Sequence, residues 1–388
     1  MHPTEKYPTG FKVPRSRVHE THQILQDEIR SALEPLLFGP VGGEGRDIRL
    51  ELERSFAKLA GRAYAISVHS GTIGLVIALR ACGVGPGDEV ITVANSDIST
   101  TGAISLCGAV PVLCDVIAAD YTIDPSLVEP LITDRTKAIL PVDLHGHPAD
   151  AKALSGVAQR HGLAIVEDAA LATGAEDHNR PIGAFADAAV FSFAPMKPLG
   201  SVGSGGIIVC DDPGIAERLE LLTGYGHDPT PSEDPGSQNY LEEGYNVPLD
   251  PLQAALVRIK LPHLAGWTQR RREIAEAYKQ GLTDTDAILP DFRSESNPTF
   301  RSYTIRVPNQ KFTHDALRRV GVEAVLHYTP PVHHYTVYDE GLKGSQSLPI
   351  TEKLSRELLS LPVTVELTDD DVRFAIDALR PLIGGNAQ

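Results

Sequence analysis

Residues 188–210 read AAVFSFAPMKPLGSVGSGGIIVC, and this stretch determines most of the fold prediction. Two short apolar runs, 188–193 and 206–210, have the length and composition of buried strands. Between them lies a turn rich in glycine and proline that contains one lysine, Lys197. The stretch therefore predicts two buried strands joined by a loop that presents a lysine where the first strand ends.

The same rhythm, a short apolar run followed by a helix-period stretch, extends from residue 64 to residue 210. Such alternation is typical of an α/β domain with a mainly parallel sheet. One helix begins at Ser70-Gly71-Thr72, directly after a strand, and the turn GVGPGDE at 83–89 leads to the next strand. We predict seven strands, at residues 65–68, 90–94, 111–114, 138–142, 164–167, 188–193 and 206–210.

The flanking segments predict an arm, a loop and a smaller domain. Residues 17–36 read as one helix, followed by a glycine-rich stretch at 39–45, and residues 224–244 read as a long mobile surface loop. A helical pattern from 251 to 282 then leads to a C-terminal α/β part, with a strand at 303–307, a helix at 314–320, a strand at 324–327 and a helix at 369–383. The predicted units are an N-terminal arm at 1–44, a large domain at 45–262 and a small domain at 263–388.

Composition excludes several classes of protein. Lys plus Arg number 35 against 51 Asp plus Glu, a net charge of −16 that argues against nucleic acid as a partner. The four cysteines form no CxxC pair, which favours reduced thiols in the cytoplasm over disulfides or zinc. The first ten residues lack the pattern of a secretion signal, and the longest apolar run, near 103–114, is too short to span a membrane.

The candidate chemistry rests on a set of residues that one cofactor needs together. Pyridoxal phosphate requires a lysine amine that bonds to it covalently, a carboxylate that keeps its pyridine nitrogen protonated, and a cradle for its phosphate. Lys197 supplies the amine, and Asp168 supplies the carboxylate at the end of an apolar strand. The cradle is predicted at a helix start that follows a strand. The full set is Ser70, Gly71, Thr72, Asp168, Ser192, Lys197 and Asn246.

Each member of the set also has an ordinary structural interpretation. Lys197 alone reads as a solvated loop lysine, and Asp168 alone reads as a helix N-cap. The Ser70-Gly71-Thr72 segment serves equally as a cap, Ser192 as a buried hydroxyl bonded to backbone, and Asn246 as a turn residue. The prediction of a cofactor site therefore depends on the whole set rather than on any single residue.

At these residues the chain resembles the DegT/DnrJ/EryC1/StrS family of pyridoxal-phosphate-dependent sugar and aminocyclitol aminotransferases. The resemblance extends from about residue 45 to the C-terminal helix and implies fold type I, the fold of aspartate aminotransferase, with a seven-stranded sheet and a smaller C-terminal domain. The matching segments, in order, are SGT at 70, LRACGVGPGDEVI at 79, VEDAA at 166, FSFAPMKPLGSVGSGG at 191, GYNVPLDPLQAAL at 244, HYTPPVH at 327 and LSLPVT at 359.

The resemblance also implies a role for each residue. Lys197 would carry the cofactor, Asp168 would pair with its pyridinium nitrogen, and Gly71, Thr72 and Ser192 would hold its phosphate. Asn246 would reach the phosphate of the neighbouring subunit's cofactor, which implies a homodimer with shared active sites.

Three positions depart from the family pattern. Asp97 stands where an aromatic residue usually stacks on the cofactor ring, so stacking is expected to be lost or supplied by another residue. Leu171 replaces a polar neighbour of the ring, and Pro248, in Asn246-Val247-Pro248-Leu249, replaces an arginine near the dimer interface. All three changes lie near the predicted site and bear on the substrate and the reaction type.

Other candidates are weaker. The resemblance places His327, Tyr328 and His333 near the entrance of the active site, where they are candidates for substrate contact. With no carboxylate or cysteine beside these histidines in the sequence, we predict no metal site. Arg270-Arg271-Arg272 precedes Glu273 and Glu276 and reads as a solvated charged helix face.

The leading functional hypothesis is transfer of an amino group from glutamate or glutamine to a keto-sugar, with a nucleotide-linked sugar as the expected acceptor in amino-sugar or antibiotic biosynthesis. The alternatives are a keto-cyclitol or aminoglycoside acceptor, a sugar dehydratase or other non-transaminating reaction, and a non-catalytic protein that reuses the fold. Retention of Lys197, which similar sugar dehydratases replace by histidine, argues against dehydration. Retention of Lys197, Asp168 and the predicted phosphate cradle argues against a non-catalytic protein. Neither a membrane nor a nucleic acid is an expected partner.

Overall fold

The computed structural model describes residues 10–39, 43–228, 230, 238–338, 342 and 347–384. Within these ranges the helices are α1 (Val18–Ile24), α2 (Gln26–Phe38), α3 (Gly43–Ala60), α4 (Gly71–Ala81), α5 (Ile98–Leu106), α6 (Ala151–His161), α7 (Pro213–Thr223), α8 (Pro251–Lys260), α9 (Leu264–Leu282), α10 (Gln310–Arg319), α11 (Pro349–Leu354) and α12 (Asp369–Leu379). The strands of the same ranges are β1 (Tyr64–Val68), β2 (Glu89–Val93), β3 (Val110–Cys114), β4 (Thr136–Ile139), β5 (Ala164–Asp168), β6 (Glu176–Asp177), β7 (Arg180–Pro181), β8 (Ala188–Ser192), β9 (Gly206–Cys210), β10 (Ser296–Asn297), β11 (Tyr303–Arg306) and β12 (Leu358–Leu361).

The central element is a seven-stranded sheet in the order β1-β9-β8-β5-β4-β2-β3. Pairing is parallel from β8 through β5, β4 and β2 to β3, whereas β9 runs antiparallel to both β8 and β1. All seven predicted strands are present, with ends shifted by at most a few residues. The mainly parallel α/β fold expected from the sequence is therefore confirmed.

Helices cover both faces of this sheet, which explains why its central strands are apolar on both sides. On one face Val166, Val190 and Ile208 pack in a cluster with residues of α4. On the other face Phe191 and Ile207 pack with residues of α3 and α8. Because side chains of a strand alternate between faces, polar residues at the strand ends reach the edge of the sheet, where the site lies.

The C-terminal part differs from the prediction in one strand. Residues 324–327 were expected to form a strand, but the strand that pairs antiparallel with β11 is β12, which was not among the predicted strands. Within 324–327 only an isolated bridge forms, from Val325 to Ser360. The prediction was wrong because a short apolar segment does not reveal whether its pairing with a neighbour extends beyond a single bridge. The other predicted elements are present as α10 and as α12, which ends in a 3₁₀ turn at Arg380–Leu382.

The N-terminal arm also differs from the prediction. The single helix expected at 17–36 divides at Leu25, whose backbone leaves the helical conformation, into α1 and α2. The glycine-rich stretch was predicted at 39–45, yet α3 already begins at Gly43; residues 40–42 lie outside the described residues. Packing of Leu52 and Phe56 against the sheet stabilises this helix despite its glycines.

Several other predictions concern residues that the structure describes only in part. The predicted loop at 224–244 includes residues 229 and 231–237, and the N-terminal segment includes residues 1–9, all of which lie outside the described residues. Domain boundaries after residues 44 and 262 stay a prediction. Cys82, Cys107, Cys114 and Cys210 are free thiols. None of the helices in the described part of the chain is long and apolar enough to cross a lipid bilayer.

Candidate active site

Asp168 lies at the carboxyl end of β5, where the sheet places ligand-binding groups. Its side chain is buried, with 5% of its surface exposed, and Oδ2 accepts a hydrogen bond of 2.8 Å from Oγ1 of Thr100. Burial raises the pKa of the Asp168 carboxyl, while the Thr100 hydroxyl and the charge of Lys197 oppose that rise. The carboxylate is therefore fixed in orientation and lies within the electrostatic reach of Lys197.

Lys197 lies in the loop between β8 and β9 and is half-buried. The loop turns back on itself: the Lys197 N–H donates to the Ala194 carbonyl at 2.9 Å, and the Ser201 N–H donates to Phe193 at 2.8 Å. A Cβ on Gly200 would lie 2.5 Å from the Pro195 carbonyl oxygen, so this turn requires glycine. Burial lowers the pKa of the Lys197 amine, Asp168 opposes that effect, and Arg301 adds to it. A lowered pKa increases the fraction of neutral amine, the form that can act as a nucleophile or base.

The residues of the predicted phosphate cradle lie where the start of α4 meets the end of β8. Ser70 caps α4 by accepting a hydrogen bond of 3.3 Å from the Ile73 N–H. A Cβ on Gly71 would lie 3.0 Å from the Cβ of Ser192, and one on Gly206 would lie 2.9 Å from the Gly71 nitrogen. Ser70, Gly71 and Ser192 are thus brought together, and Thr72 is exposed on the first turn of α4. Glycines keep this helix start open to an anion, which fits a phosphate group.

The three residues that depart from the family pattern lie at different places around Lys197, Asp168 and the start of α4. Asp97 is exposed and caps α5 by accepting a hydrogen bond of 2.9 Å from the Ser99 N–H. Its charge nevertheless acts on Lys197 and on Tyr328. Leu171 is half-buried and packs on the apolar cluster beneath the site. Pro248 bridges to Val68 at the end of β1.

His327 and Tyr328, the predicted substrate contacts, lie within the electrostatic reach of Lys197 and Asp168 respectively. His327 Nδ1 lies 3.1 Å from the hydroxyl of Ser360. Burial, with Arg301 nearby, lowers the pKa of His327 to about 3, so the ring is neutral at physiological pH. Burial raises the pKa of Tyr328, and the charges of Asp97 and Asp168 add to that rise. Both side chains are therefore uncharged neighbours of Lys197 and Asp168.

His333 and Asn246 occupy separate surroundings. His333 Nε2 lies 2.7 Å from Oε1 of Glu352, the same oxygen that His334 approaches at 2.7 Å. Asn246 is exposed in a segment that runs beside the end of β1, where the His69 N–H donates to the Val247 carbonyl at 2.8 Å. An exposed side chain at that place is accessible to a second subunit.

Two groups of side chains in the described ranges have the spacing of metal ligands, and both have other partners. In the group of His333, His334 and Glu352, one carboxylate oxygen already accepts hydrogen bonds from both rings. In the second group, Asp150, Asp177 and His178, both carboxylates pair with Arg293, at 3.5 Å and 3.1 Å. Neither arrangement argues for a bound ion.

Several residues at the site were missed by the sequence analysis. Thr100 fixes Asp168, and its position one turn into α5, close behind Asp97, is the signal that could have revealed it. Arg301 and the buried pair His145 and His147 come from loops, and nothing local in the sequence marks them as neighbours of the site. His145 Nδ1 lies 3.2 Å from the Ser302 hydroxyl, and burial lowers its pKa well below the ordinary value.

One predicted surface feature is wrong in part. Arg270-Arg271-Arg272 was expected to form a solvated face, but successive residues of a helix point about 100° apart. Arg270 pairs with Asp369 at 2.8 Å, and Arg272 donates to the Pro298 carbonyl at 2.9 Å. Arg271 is 7% exposed and lies in the interior.

Known proteins with similar sequences and structures indicate the family of this chain. A sequence model of the DegT/DnrJ/EryC1/StrS aminotransferase family matches residues 24–380. The chain is 42% identical over 332 residues to the erythromycin biosynthesis sensory transduction protein EryC1 of Saccharopolyspora erythraea, covering 84% of this chain and 88% of that protein. It is 41% identical over 331 residues to a dTDP-3-amino-3,4,6-trideoxy-alpha-D-glucose transaminase of Streptomyces venezuelae, covering 84% of this chain and 85% of that protein.

Among solved structures, DesV of S. venezuelae in complex with a ketimine intermediate is similar, with a TM-score of 0.89 and 38% identity over 96% of this chain and 98% of that chain. The family match and the likeness to solved aminotransferases together define a pyridoxal-phosphate-dependent aminotransferase. With a family model that matches most of its length, the chain belongs to the DegT/DnrJ/EryC1/StrS aminotransferase family.

Proposed function

We propose that the enzyme moves an amino group from glutamate or glutamine to a keto-sugar carried on a nucleoside diphosphate, in the biosynthesis of amino sugars or antibiotics. The observation that carries the proposal is the meeting of Lys197, Asp168 and the Gly71–Ser192 cradle at one edge of the sheet. It is supported by relatives named as a dTDP-sugar transaminase and as an erythromycin biosynthesis protein. Free cysteines agree with the cytoplasmic location that is part of this proposal.

Lys197 and Asp168 are the proposed catalytic residues. Bound pyridoxal phosphate acts as an electron sink for the carbon that carries the amine. Asp168, held by Thr100, would supply the negative charge that keeps the ring nitrogen protonated. Lys197 would hold the cofactor and then move a proton between substrate and cofactor, a step that its lowered pKa favours.

The remaining predicted residues are proposed to bind. Backbone N–H groups and hydroxyls of Ser70, Gly71, Thr72 and Ser192 would hold the phosphate. Asn246 would reach the phosphate in the neighbouring subunit, so the proposal includes a homodimer with shared active sites.

The cofactor ring and the sugar would each lie beside a set of the residues predicted from the sequence. Asp97 and Leu171 are the proposed neighbours of the ring, on the positions where the resemblance puts them. His327, Tyr328 and His333 are the proposed contacts of the sugar substrate. Since His327 and Tyr328 are uncharged, they would act as hydrogen-bonding partners of sugar hydroxyls rather than as ion-pair partners.

The test is an absorption spectrum of the purified protein with pyridoxal phosphate, taken before and after the addition of glutamate or glutamine. A visible band that shifts with an amino donor is the expected result. Lys197→Ala should abolish the band and reduce amino transfer by about 10²–10⁴-fold, the usual contribution of an acid–base group. A band that no amino acid shifts would contradict the proposal and indicate a non-transaminating reaction. Retention of full activity by Lys197→Ala would contradict the role of the lysine.

A further inference from the structure

Three buried hydroxyl groups connect His327, a predicted substrate contact, to His145 in the interior. His327 Nδ1 lies 3.1 Å from the Ser360 hydroxyl, which lies 2.9 Å from that of Thr304. The Thr304 hydroxyl lies 3.3 Å from that of Ser302, which lies 3.2 Å from His145 Nδ1. The hydroxyls of Ser302, Thr304 and Ser360, which we call the hydroxyl bridge, therefore join two imidazole rings through four contacts.

The hydroxyl bridge is closed to solvent. Ser302, Thr304 and Ser360 are all buried, and the last two lie opposite each other on the paired strands β11 and β12. None of the three hydroxyls has a further hydrogen-bond partner among the described residues. Because buried polar groups are normally hydrogen-bonded, each hydroxyl satisfies that need within the bridge.

Both imidazole rings at the ends of the bridge are neutral at physiological pH. Burial lowers the pKa of His327 to about 3 and that of His145 well below its ordinary value. A neutral imidazole carries one proton, on either Nδ1 or Nε2. Since the bridge contacts Nδ1 of both rings, the direction of its hydrogen bonds decides where each ring carries its proton.

The number of protons forces the two rings into opposite forms. Each of the four contacts needs one proton, and the three hydroxyls supply three. The fourth must come from Nδ1 of one ring, while Nδ1 of the other ring accepts. With both Nδ1 atoms bare, one contact would have no proton, and with both protonated, one contact would have two. One ring therefore carries its proton on Nδ1 and the other on Nε2.

The surroundings of His145 decide which ring donates. Its side chain is buried, and Nε2 has no hydrogen-bond partner in the described part of the chain. A proton on Nε2 would make a buried N–H without an acceptor, which is the rarer kind of unsatisfied group. A proton on Nδ1 instead donates to Ser302. The hydrogen bonds therefore run from His145 through the hydroxyl bridge to Nδ1 of His327.

We propose that His145, Ser302, Thr304 and Ser360 are positioning residues that hold His327 in the form with its proton on Nε2, as a fixed hydrogen-bond donor. Within the described ranges no group contacts Nε2 of His145 to return a proton to it. The hydroxyl bridge therefore orients His327 and transfers no proton.

The donor on His327 faces the candidate active site. Its ring is half-buried, Nε2 has no hydrogen-bond partner among the residues that the structure describes, and the charge of Lys197 acts on it. What the donor meets rests on the proposed function: it selects an oxygen of the sugar that can accept, a keto or hydroxyl oxygen. It disfavours an ammonium group at the same place, because an ammonium can only donate.

The first experiment observes the proton positions directly. NMR of cofactor-loaded protein labelled with ¹⁵N in its histidines distinguishes a protonated ring nitrogen from a bare one at neutral pH. Loss of signals in His327→Gln and in His145→Gln assigns the two rings. His327 should carry its proton on Nε2 and His145 on Nδ1. The reverse pair, or the same form in both rings, would overturn the inference.

Thr304→Val interrupts the hydroxyl bridge in the middle. His327 should then show both forms, because the Ser360 hydroxyl alone can donate or accept. The KM for the sugar acceptor should rise by about 2- to 10-fold, the range for one ordinary hydrogen bond, with the KM for the amino donor unchanged. A Thr304→Val protein in which His327 stays protonated on Nε2 alone would overturn the inference, and mixed forms with an unchanged sugar KM would overturn the contact with the sugar.

Two further variants separate the hydroxyl from packing. Thr304→Ser keeps the hydroxyl and should restore both the single form and the sugar KM. The matched control is Thr313→Val, because Thr313 is equally buried and its hydroxyl has no partner among the described residues; it should change neither readout. If Thr304→Val does not fold, Ser302→Ala interrupts the bridge beside His145 and should release His327 likewise.

The NMR measurement needs no turnover, so it fails or succeeds independently of the proposed function. Amino transfer by a protein with the reverse proton positions would overturn this inference alone. The expected proton positions in a protein that transfers no amine to any sugar would overturn the proposed function and leave the positioning of His327 in place.

Discussion

The Asp168 side chain has features of both roles that the sequence left open, a helix cap and a carboxylate beside the cofactor. Its Oδ1 accepts a hydrogen bond of 3.2 Å from the Ala170 N–H, as a cap would, while Oδ2 is held by Thr100 at 2.8 Å beside the predicted cofactor ring. Asp168→Asn keeps the shape and removes the negative charge, so kcat should fall by about 10²–10³-fold. Steady-state kinetics at measured cofactor content tests this, and wild-type kcat would show that Asp168 is only a cap.

Thr100→Val tests a smaller change at the Asp168 carboxylate than Asp168→Asn does. The change keeps the shape of the side chain and removes one hydrogen bond to the Asp168 carboxylate. We expect kcat to fall by about tenfold, less than for Asp168→Asn, because the charge stays and only its orientation is released. A larger effect for Thr100→Val than for Asp168→Asn would contradict this order.

Behind Asp168, Glu167 and Asp143 form a buried acidic pair. They are 1% and 0% exposed, and Glu167 Oε2 and Asp143 Oδ2 have no partner in the described part of the chain. Burial raises the pKa of Glu167 to about 7 and that of Asp143 well above its ordinary value. The folded protein therefore holds more protons than the unfolded chain between about pH 4.5 and pH 7, and its free energy of unfolding falls as the pH rises through that range.

Glu167→Gln should remove part of this pH dependence. The variant keeps a neutral side chain at every pH, so its free energy of unfolding should change less between pH 4.5 and pH 7 than that of the wild type, by on the order of 3 kcal/mol. Urea unfolding at several pH values measures the difference. Parallel curves for the two proteins would contradict the raised pKa of this carboxyl.

The close backbone contact between β9 and the start of α4 requires glycine at position 206, the first residue of β9. A Cβ there would lie 2.9 Å from the Gly71 nitrogen and 2.9 Å from the Phe191 carbonyl oxygen, both of them backbone atoms that cannot move aside alone. Gly206→Ala should lower the free energy of unfolding by about 1–3 kcal/mol and weaken cofactor binding, because it shifts the start of α4.

Gly102→Ala in α5 serves as the control for that change. A Cβ at Gly102 meets nothing within 4 Å among the described residues, so alanine should stabilise the helix by about 0.5–1 kcal/mol. Unfolding midpoints of the two variants should move in opposite directions. A midpoint for Gly206→Ala that is no lower than that of the wild type would show that the close approach at Gly206 relaxes without cost.

The elements that the sequence predicted well are those with a strong local pattern. All seven strands of the sheet are apolar runs ended by turn residues, so length and composition suffice to find them. The mistakes come from tertiary contacts: residues 324–327 form only one bridge, to Ser360 of β12, and the glycine-containing helix α3 is stabilised by the packing of Leu52 and Phe56 on the sheet. Arg271 was misplaced for a similar reason, since charge alone does not reveal which helix face is buried.

For the molecule as a whole, the shared active site of the proposed dimer is open to a direct test. Lys197→Ala and Asn246→Asp subunits should each be inactive alone, the second because its new carboxylate repels a phosphate. If Asn246 serves the neighbouring subunit, mixed dimers contain one site with both residues intact. Co-refolding equal amounts should then restore activity to about a quarter of the wild type, since half of the dimers are mixed and each has one intact site.

A matched pair separates complementation from other effects. Lys197→Ala mixed with Asp168→Asn should restore nothing, because both residues belong to the site of one subunit and each mixed dimer has two damaged sites. Failure of the Asn246→Asp mixture to regain activity would place Asn246 at its own subunit's site. The native masses of the mixtures, measured in parallel, check that dimers formed.

The sequence suggests the centre of the candidate site but little of its surroundings. Lys197, Asp168 and the Ser70-Gly71-Thr72 segment could be proposed from the sequence because their chemical types are demanding and each follows a strand, and their roles stay a prediction. Thr100, Arg301 and Arg271 escaped notice because only the folded chain brings them near Lys197 and Asp168. Local patterns indicate which groups react, and long-range packing decides which groups orient them.

The strand order has a consequence for how the chain is made. β1 emerges from the ribosome early, yet the strand it pairs with, β9, begins only at Gly206, which packs against Gly71 of the predicted phosphate cradle. Arg301 is synthesised later still. A nascent or truncated chain that stops before β9 therefore lacks part of the predicted binding site for the phosphate of a vitamin B6 cofactor. In a cell extract or a library screen, cofactor binding would then report that translation has passed β9, the last strand of the sheet to be synthesised.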